Sequence, residues 1–252
     1  AASDVYKRQI VGDDKQLPNV ISREEVKALN AIQSTYNVDD RYNAATHSFL
    51  RSCIEVFKDA PVTLLREHYR CHPQIIEFCN QKFYDGELVT MTTDHGEDKV
   101  LQVIRTVKGN HARGHFNQRE IDVIIQEVMP EYADTGTVGI ITPYRSQIAL
   151  IRKEIVKMGI PELNSILVDT VERFQGSERD VIIYSFCVNY PYQLRFLSNL
   201  TEENGVFIDR KLNVALTRAR KQMFITGVPR LLEQNPIYDS LIKLIKQQEP
   251  LS

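Results

Sequence analysis

Apolar residues at helical spacing mark residues 209–221, DRKLNVALTRARK, where Leu212, Ala215, Leu216 and Ala219 recur at i, i+3, i+4 and i+7. The spacing predicts one helix with an apolar stripe. Val214 and Arg218 stand one turn apart on one flank, and Asn213, Thr217 and Arg220 share the other. On such a helix Arg218 and Arg220 point about 200° apart and serve different surfaces. Taken alone, the pattern also fits a half-buried helix with a solvated basic edge.

Before that stretch, short apolar runs alternate with amphipathic segments. Ile10 and Val11 read as the end of a strand that runs into GDDKQLP (12–18), a strand-end turn that sets an acid and an amide where open α/β sheets bind ligands. A plain turn closed by Pro18 fits as well. Ser22 caps a short helix over 24–30, a second helix spans 49–57, and 62–65 reads as a short buried strand. Pro73 opens a helix carrying Ile76, Cys79, Asn80 and Phe83. A strand over 100–107 and an exposed loop over 108–116 come next. Asn117 and Glu120 then form a capping-box-like start to a helix that ends before Pro130. VGIIT (138–142), ILVDTV (166–171) and VIIYSFCV (181–188) are apolar strands of the parallel-sheet kind. A helix with Ile148, Ile151, Ile155 and Met158 follows the first of them. Residues 190–204 are irregular, 223–227 form a last strand, and Pro236 starts a terminal amphipathic helix. Strands alternating with helices predict an α/β fold: a three-layer, mostly parallel sheet.

Composition narrows the class. The 252 residues are 42% hydrophobic and 25% charged, with net charge −2, as in ordinary soluble domains. That charge excludes whole-surface binding to nucleic acid but not a local basic groove. No apolar run reaches 18 residues, so no membrane partner is expected. Four cysteines without CxxC or zinc spacing, and no signal-peptide pattern, lead to an expectation of reduced thiols and a cytoplasmic location. Residues 1–9 are patternless and read as a leader unrelated to the rest.

Several residues are placed for chemistry. Tyr69 and Arg70 fall on the turn before the Pro73 helix. Thr142 and Ser146 flank a helix N-terminus, a ready anion site unless they merely cap it. Gly176 allows close backbone approach beside Glu178. Cys71 and His72 lack a second close pair of ligands, so no metal site is expected.

Five stretches in order, GDDKQLP, HYRCHP with FYDGEL, IITPYRSQ, DTVERFQGSERDVII and NVALTRAR, resemble consecutive motifs of superfamily 1 helicases, in the branch that includes the nonsense-mediated-decay helicase. The resemblance implies RecA-like domains with ATP between two of them and single-stranded DNA or RNA running across both. It implies that Gln16 senses the γ-phosphate and attacking water, and that Arg70 and Arg218 contact the γ-phosphate. Tyr69 would stack on adenine, Glu178 with Gly176 beside it would bind the ribose, and Thr142, Ser146 and Thr170 would hold the strand's backbone. The chain has no GxxxxGK[ST] stretch. ATP and Mg2+ would therefore need a first, N-terminal RecA-like domain as partner. Residues 10–58 are expected to be the tail of that domain with a connecting segment, and 59–252 the second RecA-like domain. The competing readings are a non-catalytic module that binds single strands or a partner, and a scaffold without ligand. If the first reading is right, Arg70 and Arg218 converge with Glu178 and Gly176 at the carboxyl-end crevice of the sheet, and Arg220 points away. Thr142, Ser146 and Thr170 would line one sheet edge.

Overall fold

The computed structural model describes residues 9–18, 21–106, 112–132, 136–203 and 205–248. Nearly all of the expected leader (1–9), Val107 of the expected strand, and 108–111 of the expected loop lie outside the described residues. The chain divides into two compact units, residues 1–65 and 66–252.

In the first unit Ser22 and Glu25 cap each other: Ser22 N donates to Glu25 Oε2 (2.7 Å) and Glu25 N to Ser22 Oγ (3.2 Å). The helix this opens, Arg23–Tyr36, is longer than the 24–30 expected and ends on Asn37 in the left-handed region. A second helix spans Phe49–Val56. Neither helix has a buried residue. Ile10 and Val11 form no strand; both are exposed, and the described residues of this unit offer no strand to pair with.

The second unit is built on a five-stranded parallel sheet. Its strands in chain order are β1 (Glu67–His68) and β2 (Val89–Thr90), a small parallel pair; β3 (Leu101–Arg105); β4 (Ala112–Arg113) and β5 (Phe116–Asn117), a tight hairpin; β6 (Val138–Ile141); β7 (Leu167–Asp169); β8 (Arg179–Ser185); β9 (Leu200–Glu203) and β10 (Val206–Asp209), a second hairpin; and β11 (Ala219–Gly227). The main sheet has the order β3-β11-β8-β6-β7, all parallel. Its register puts Val168, Ile140, Ile183 and Phe224 in one row across four strands. That row is one face of a core closed by Ile121 and Ile124, and by Ile151 and Ile155 from the helix Arg145–Lys157. Phe186 makes edge contacts with Tyr184 and with Tyr238 of the terminal helix Pro236–Gln248. Helices on both faces make the three layers expected.

Several local expectations are corrected. Residues 62–65 form no strand: Val62, Leu64 and Leu65 are exposed, and the first strand is the two residues of β1. The helix after Asn117 does not stop before Pro130. It passes through a π turn (Ile124–Val128) into Met129–Tyr132, a distortion that suits a residue with no N–H to give. The stretch 190–204 holds a 3₁₀ turn (Pro191–Gln193), a helical turn (Leu194–Leu197) and β9.

The largest correction concerns residues 209–221. The helix covers only Arg210–Leu216, with Asp209 as its buried cap. Thr217 Oγ1 turns back onto the carbonyls of Asn213 (2.8 Å) and Val214 (3.1 Å). The chain then enters β11 at Ala219, and Arg179 N donates to Arg218 O (3.0 Å). Ala219, expected on the helical stripe, lies in the sheet. Extension of the ladder overrides a helical periodicity that is itself only about two turns long.

Candidate functional site

Parallel strands β8 and β11 both begin beside the residues of interest. Glu178 immediately precedes β8 and Arg218 immediately precedes β11. The arginine cluster therefore sits at the amino end of the sheet, not in the carboxyl-end crevice expected. A parallel sheet can gather side chains at either end, and here the loops entering β8 and β11 carry the charge.

The segment 68–72 is pinned against the entry to β11. His72 N donates to Arg220 O (2.8 Å), and Cys71 N to His68 Nε2 (3.0 Å). Arg70 Nη1 reaches Thr217 O (3.4 Å), and Arg70 Nε meets Glu178 Oε2 at 2.6 Å. Glu178 Oε1 lies 3.7 Å from Arg220 Nη1. Arg218 is buried, 3% exposed, with Nε on Val214 O (3.1 Å), Nη1 on Ser177 O (3.3 Å) and Nη2 on Thr217 Oγ1 (3.0 Å). Arg70 and Arg218 thus meet on either side of Thr217 although they are far apart in the chain. Tyr69 presents a 66% exposed ring at the rim, its hydroxyl donating to Glu67. Glu67, His68, Tyr69, Arg70, Glu178 and Arg220 border an open depression of about 550 Å³, and the buried Arg218 lies behind it.

The electrostatics follow from burial and crowding. Burial, then the neighbouring Arg70 charge, lowers the pKa of Arg218. Burial first, then Arg70 and Arg218, brings His68 down to about 4, so its ring is neutral at physiological pH and free to accept from Cys71 N. Burial pushes the Cys71 thiol up to about 12, which makes it an inert neighbour. Gly176 has φ +82°, and a Cβ there would touch nothing within 4 Å. The left-handed backbone of this position favours glycine.

Arg220 does not point away. The ladder is irregular between Ala219 and Gln222, and there Arg220 faces Glu178 and, through Nε at 3.9 Å, Asp180. Sequence reasoning missed it, along with Lys221, because both were placed on a helix. Thr217 was the available signal, since threonine is a weak helix former. Gln16 lies in the first unit, where its amide donates to Asp13 Oδ2 (2.9 Å).

The three hydroxyl residues occupy the other end of the sheet. Thr142 follows β6 and Thr170 follows β7, neighbouring parallel strands, and Thr142 N donates to Asp169 O (3.1 Å). Ser146 is exposed in the first turn of Arg145–Lys157, its Oγ on His115 O (2.6 Å). Thr142 is fully buried and its hydroxyl has no hydrogen-bond partner. β8 alone, seven residues long, separates the two ends by roughly 20 Å.

Beneath this carboxyl end lies Glu120, fully buried. Its Oε2 accepts from Ser185 Oγ (2.7 Å), Thr226 Oγ1 (3.0 Å) and Cys187 N (3.1 Å), so it ties β8 to β11. Burial raises its carboxyl to about 7 despite those donors. Between about 4.5 and 7 the folded protein therefore holds a proton here that the unfolded chain releases, and this group's stabilisation is lost as pH rises through that window. His68 works in the opposite direction, because the unfolded chain binds the proton first. The Tm difference between wild type and Glu120→Gln is therefore the readout: it is expected to shift in favour of the variant as pH goes from 5 to 8. A difference independent of pH would contradict the assignment.

His72, Asp94 and Glu97 bring three ligand atoms within 4.8 Å of one another, a grouping that sequence spacing did not reveal. His72 Nδ1 accepts from Gln74 N (3.2 Å) as the cap of the helix Pro73–Phe83. A neutral ring therefore carries its proton on Nε2, which lies 3.3 Å from Glu97 Oε2. The trio is accounted for as a hydrogen-bonded cap, since Nε2 could bind a cation only if the cap were given up.

A family model described as an AAA domain matches residues 45–230. Helicase sen1 of Schizosaccharomyces pombe is 31% identical over 254 residues, spanning 92% of this chain and 14% of its own length. Regulator of nonsense transcripts 1 of Dictyostelium discoideum is 29% identical over 265 residues, spanning 96% and 18%. Among solved structures, the C-terminal domain of a possible DNA helicase from Lactobacillus plantarum WCFS1 aligns with 64% of this chain and 87% of its own, at 16% identity and a TM-score of 0.38. The chain belongs to the AAA-domain family, within the superfamily 1 helicase branch that includes the nonsense-mediated-decay helicase. It spans less than a fifth of the length of these two curated relatives.

Proposed function

We propose that this chain is the second motor domain of an ATP-dependent DNA or RNA helicase, with a nucleotide-facing arginine site at the amino end of its sheet and a strand-holding edge at the carboxyl end. The observation that carries the reading is the pairing of Arg70 and Arg220 with Glu178, with Arg218 buried behind them and the exposed ring of Tyr69 beside them. A cluster of guanidinium groups fits a polyphosphate, and a free aromatic face fits a base.

The residues present suit ATP and do not suit a metal. Glu178 is paired with Arg70 and Arg220, and Asp180 with Lys221 (3.3 Å), so the described residues of this site offer no carboxylate pair to Mg2+. The metal and the phosphate-cradling loop belong, on this reading, to a first RecA-like domain that also contributes the side chains facing Gln16. ATP, when bound, supplies the phosphoanhydride to be cleaved. Arg70 is 38% exposed and leaves Glu178 to lay its planar fork on phosphoryl oxygens. Glu178, so released, accepts from the ribose hydroxyls. Arg218, already fixed by three contacts, adds positive potential from behind without reorganising. Arg220 balances Glu178 while Arg70 is engaged elsewhere.

At the carboxyl end Ser146 and Thr170 are placed to hold backbone phosphates. Thr142 serves from within, since its hydroxyl is buried. Binding of single strands by this chain is expected to be weak, indifferent to sequence and steep in salt, log K falling with log salt by about 0.7 for each phosphate engaged. Filter binding of homopolymers across a salt series tests this. Affinity that survives high salt, or a strong preference among homopolymers, would overturn the phosphate-contact reading.

A further inference from the structure

Two large rings stand in solvent at the carboxyl end on a segment that the proposed mechanism leaves unused. Tyr190 and Tyr192 are 41% and 55% exposed, and their rings stack on one another with centroids 5.7 Å apart and planes 11° from parallel. The core does not hold these rings; their backbone is held instead. Gln193, fully buried, accepts from Asn189 N (2.7 Å) and Tyr190 N (3.0 Å) and donates to Gly114 O (3.0 Å). Asn189 Oδ1 in turn accepts from Asn117 Nδ2 (2.8 Å). A buried amide network therefore fixes a short 3₁₀ turn whose only prominent products are two parallel aromatic faces.

The turn follows β8, which neighbours β6 in the sheet, so it belongs to the same end as Ser146. Neighbouring carbonyls connect the two: Gln193 donates to Gly114 O and Ser146 to His115 O, and the His115 ring meets Tyr144. Arg195, over the Phe196 ring at 4.8 Å, adds a cation on the next turn of chain.

We propose that Tyr190 and Tyr192 form a stacking platform for one base of a single-stranded nucleic acid, beside the edge that holds its phosphates. The inference rests on the nucleic-acid reading given above. A rigid aromatic face accepts any base because every base has a π face, and an adjacent hydroxyl and arginines suit the phosphates on either side. The two tyrosines already stack as an offset pair, so a base adds as a further layer on the outer ring and does not wedge between them.

The test compares a labelled oligothymidylate with an abasic strand of the same length, at low salt, by fluorescence anisotropy. The wild-type chain is expected to bind the thymidylate roughly five- to fifty-fold more tightly than the abasic strand. Tyr190→Ala or Tyr192→Ala removes most of that difference while leaving abasic affinity and salt slope unchanged, and Tyr→Phe at either position preserves it. Tyr192 is more than half exposed, so an unchanged Tm accompanies the loss in Tyr192→Ala, while Tyr190, 41% exposed, is read against its own Tm. Equal wild-type affinity for the two strands, with the salt slope intact, overturns the platform and leaves the phosphate-contact reading standing. Absence of binding to either strand at low salt overturns both.

Discussion

Replacing Arg70 by alanine in the full-length protein is expected to lower steady-state ATP hydrolysis on the order of 10³-fold, the scale of a lost arginine finger. Lysine at this position is expected to restore little, because a point charge cannot reproduce a planar fork across two oxygens. The variant stays folded. Arg70 and Glu178 are 38% and 43% exposed, and an ion pair that open to water contributes little to stability. Arg218→Ala is expected to abolish hydrolysis comparably and also to lower the Tm, since it vacates a buried position and takes a donor from the Ser177 carbonyl. Arg220→Ala has the smaller effect of the three. Its contacts to Glu178 and Asp180 are long, and Lys221 already serves Asp180. Steady-state turnover and thermal denaturation on the same preparations separate the three cases, and a fully active Arg70→Ala enzyme would remove the arginine from the mechanism.

The isolated 252-residue chain is expected to show no measurable ATP turnover, with or without a single strand. It has no GxxxxGK[ST] stretch, and Glu178 and Asp180 are occupied by basic partners. Arginines that stabilise a transition state contribute nothing until a phosphoryl group is positioned before them. Turnover that is stimulated by single strands and lost with Arg218→Ala would contradict the two-domain account.

Much of the architecture was legible because the apolar runs are long and continuous. Residues 138–142 and 181–188 read as strands buried on both faces, and 138–141 and 181–185 of them lie in the sheet, with Thr142 and 186–188 beyond the strand ends. The end of the sheet at which the arginines gather was not legible. It depends on where β11 begins, and that rests on pairing of Ala219 with Arg179, a contact between residues 40 apart that no local pattern encodes. The same shift moved Arg220 from the far side of a helix to the rim of the site. Glu120 illustrates the complementary case. Its position three residues after Asn117 announced a helix cap, and Asn117 does cap that helix. The glutamate itself goes to Ser185, Thr226 and Cys187, partners that only the sheet order brings together. Residues 62–65 failed for lack of a neighbour, since an apolar run forms a strand only where another edge receives it.

Hydrolysis and strand holding, as proposed, occupy opposite ends of one sheet. ATP turnover and single-strand affinity measured on one preparation of full-length Arg70→Ala separate the two ends. Turnover is expected to fall on the order of 10³-fold while the dissociation constant for a homopolymer, taken without nucleotide, stays at the wild-type value. A loss of strand affinity in step with turnover would place Arg70 at the nucleic acid and contradict the division.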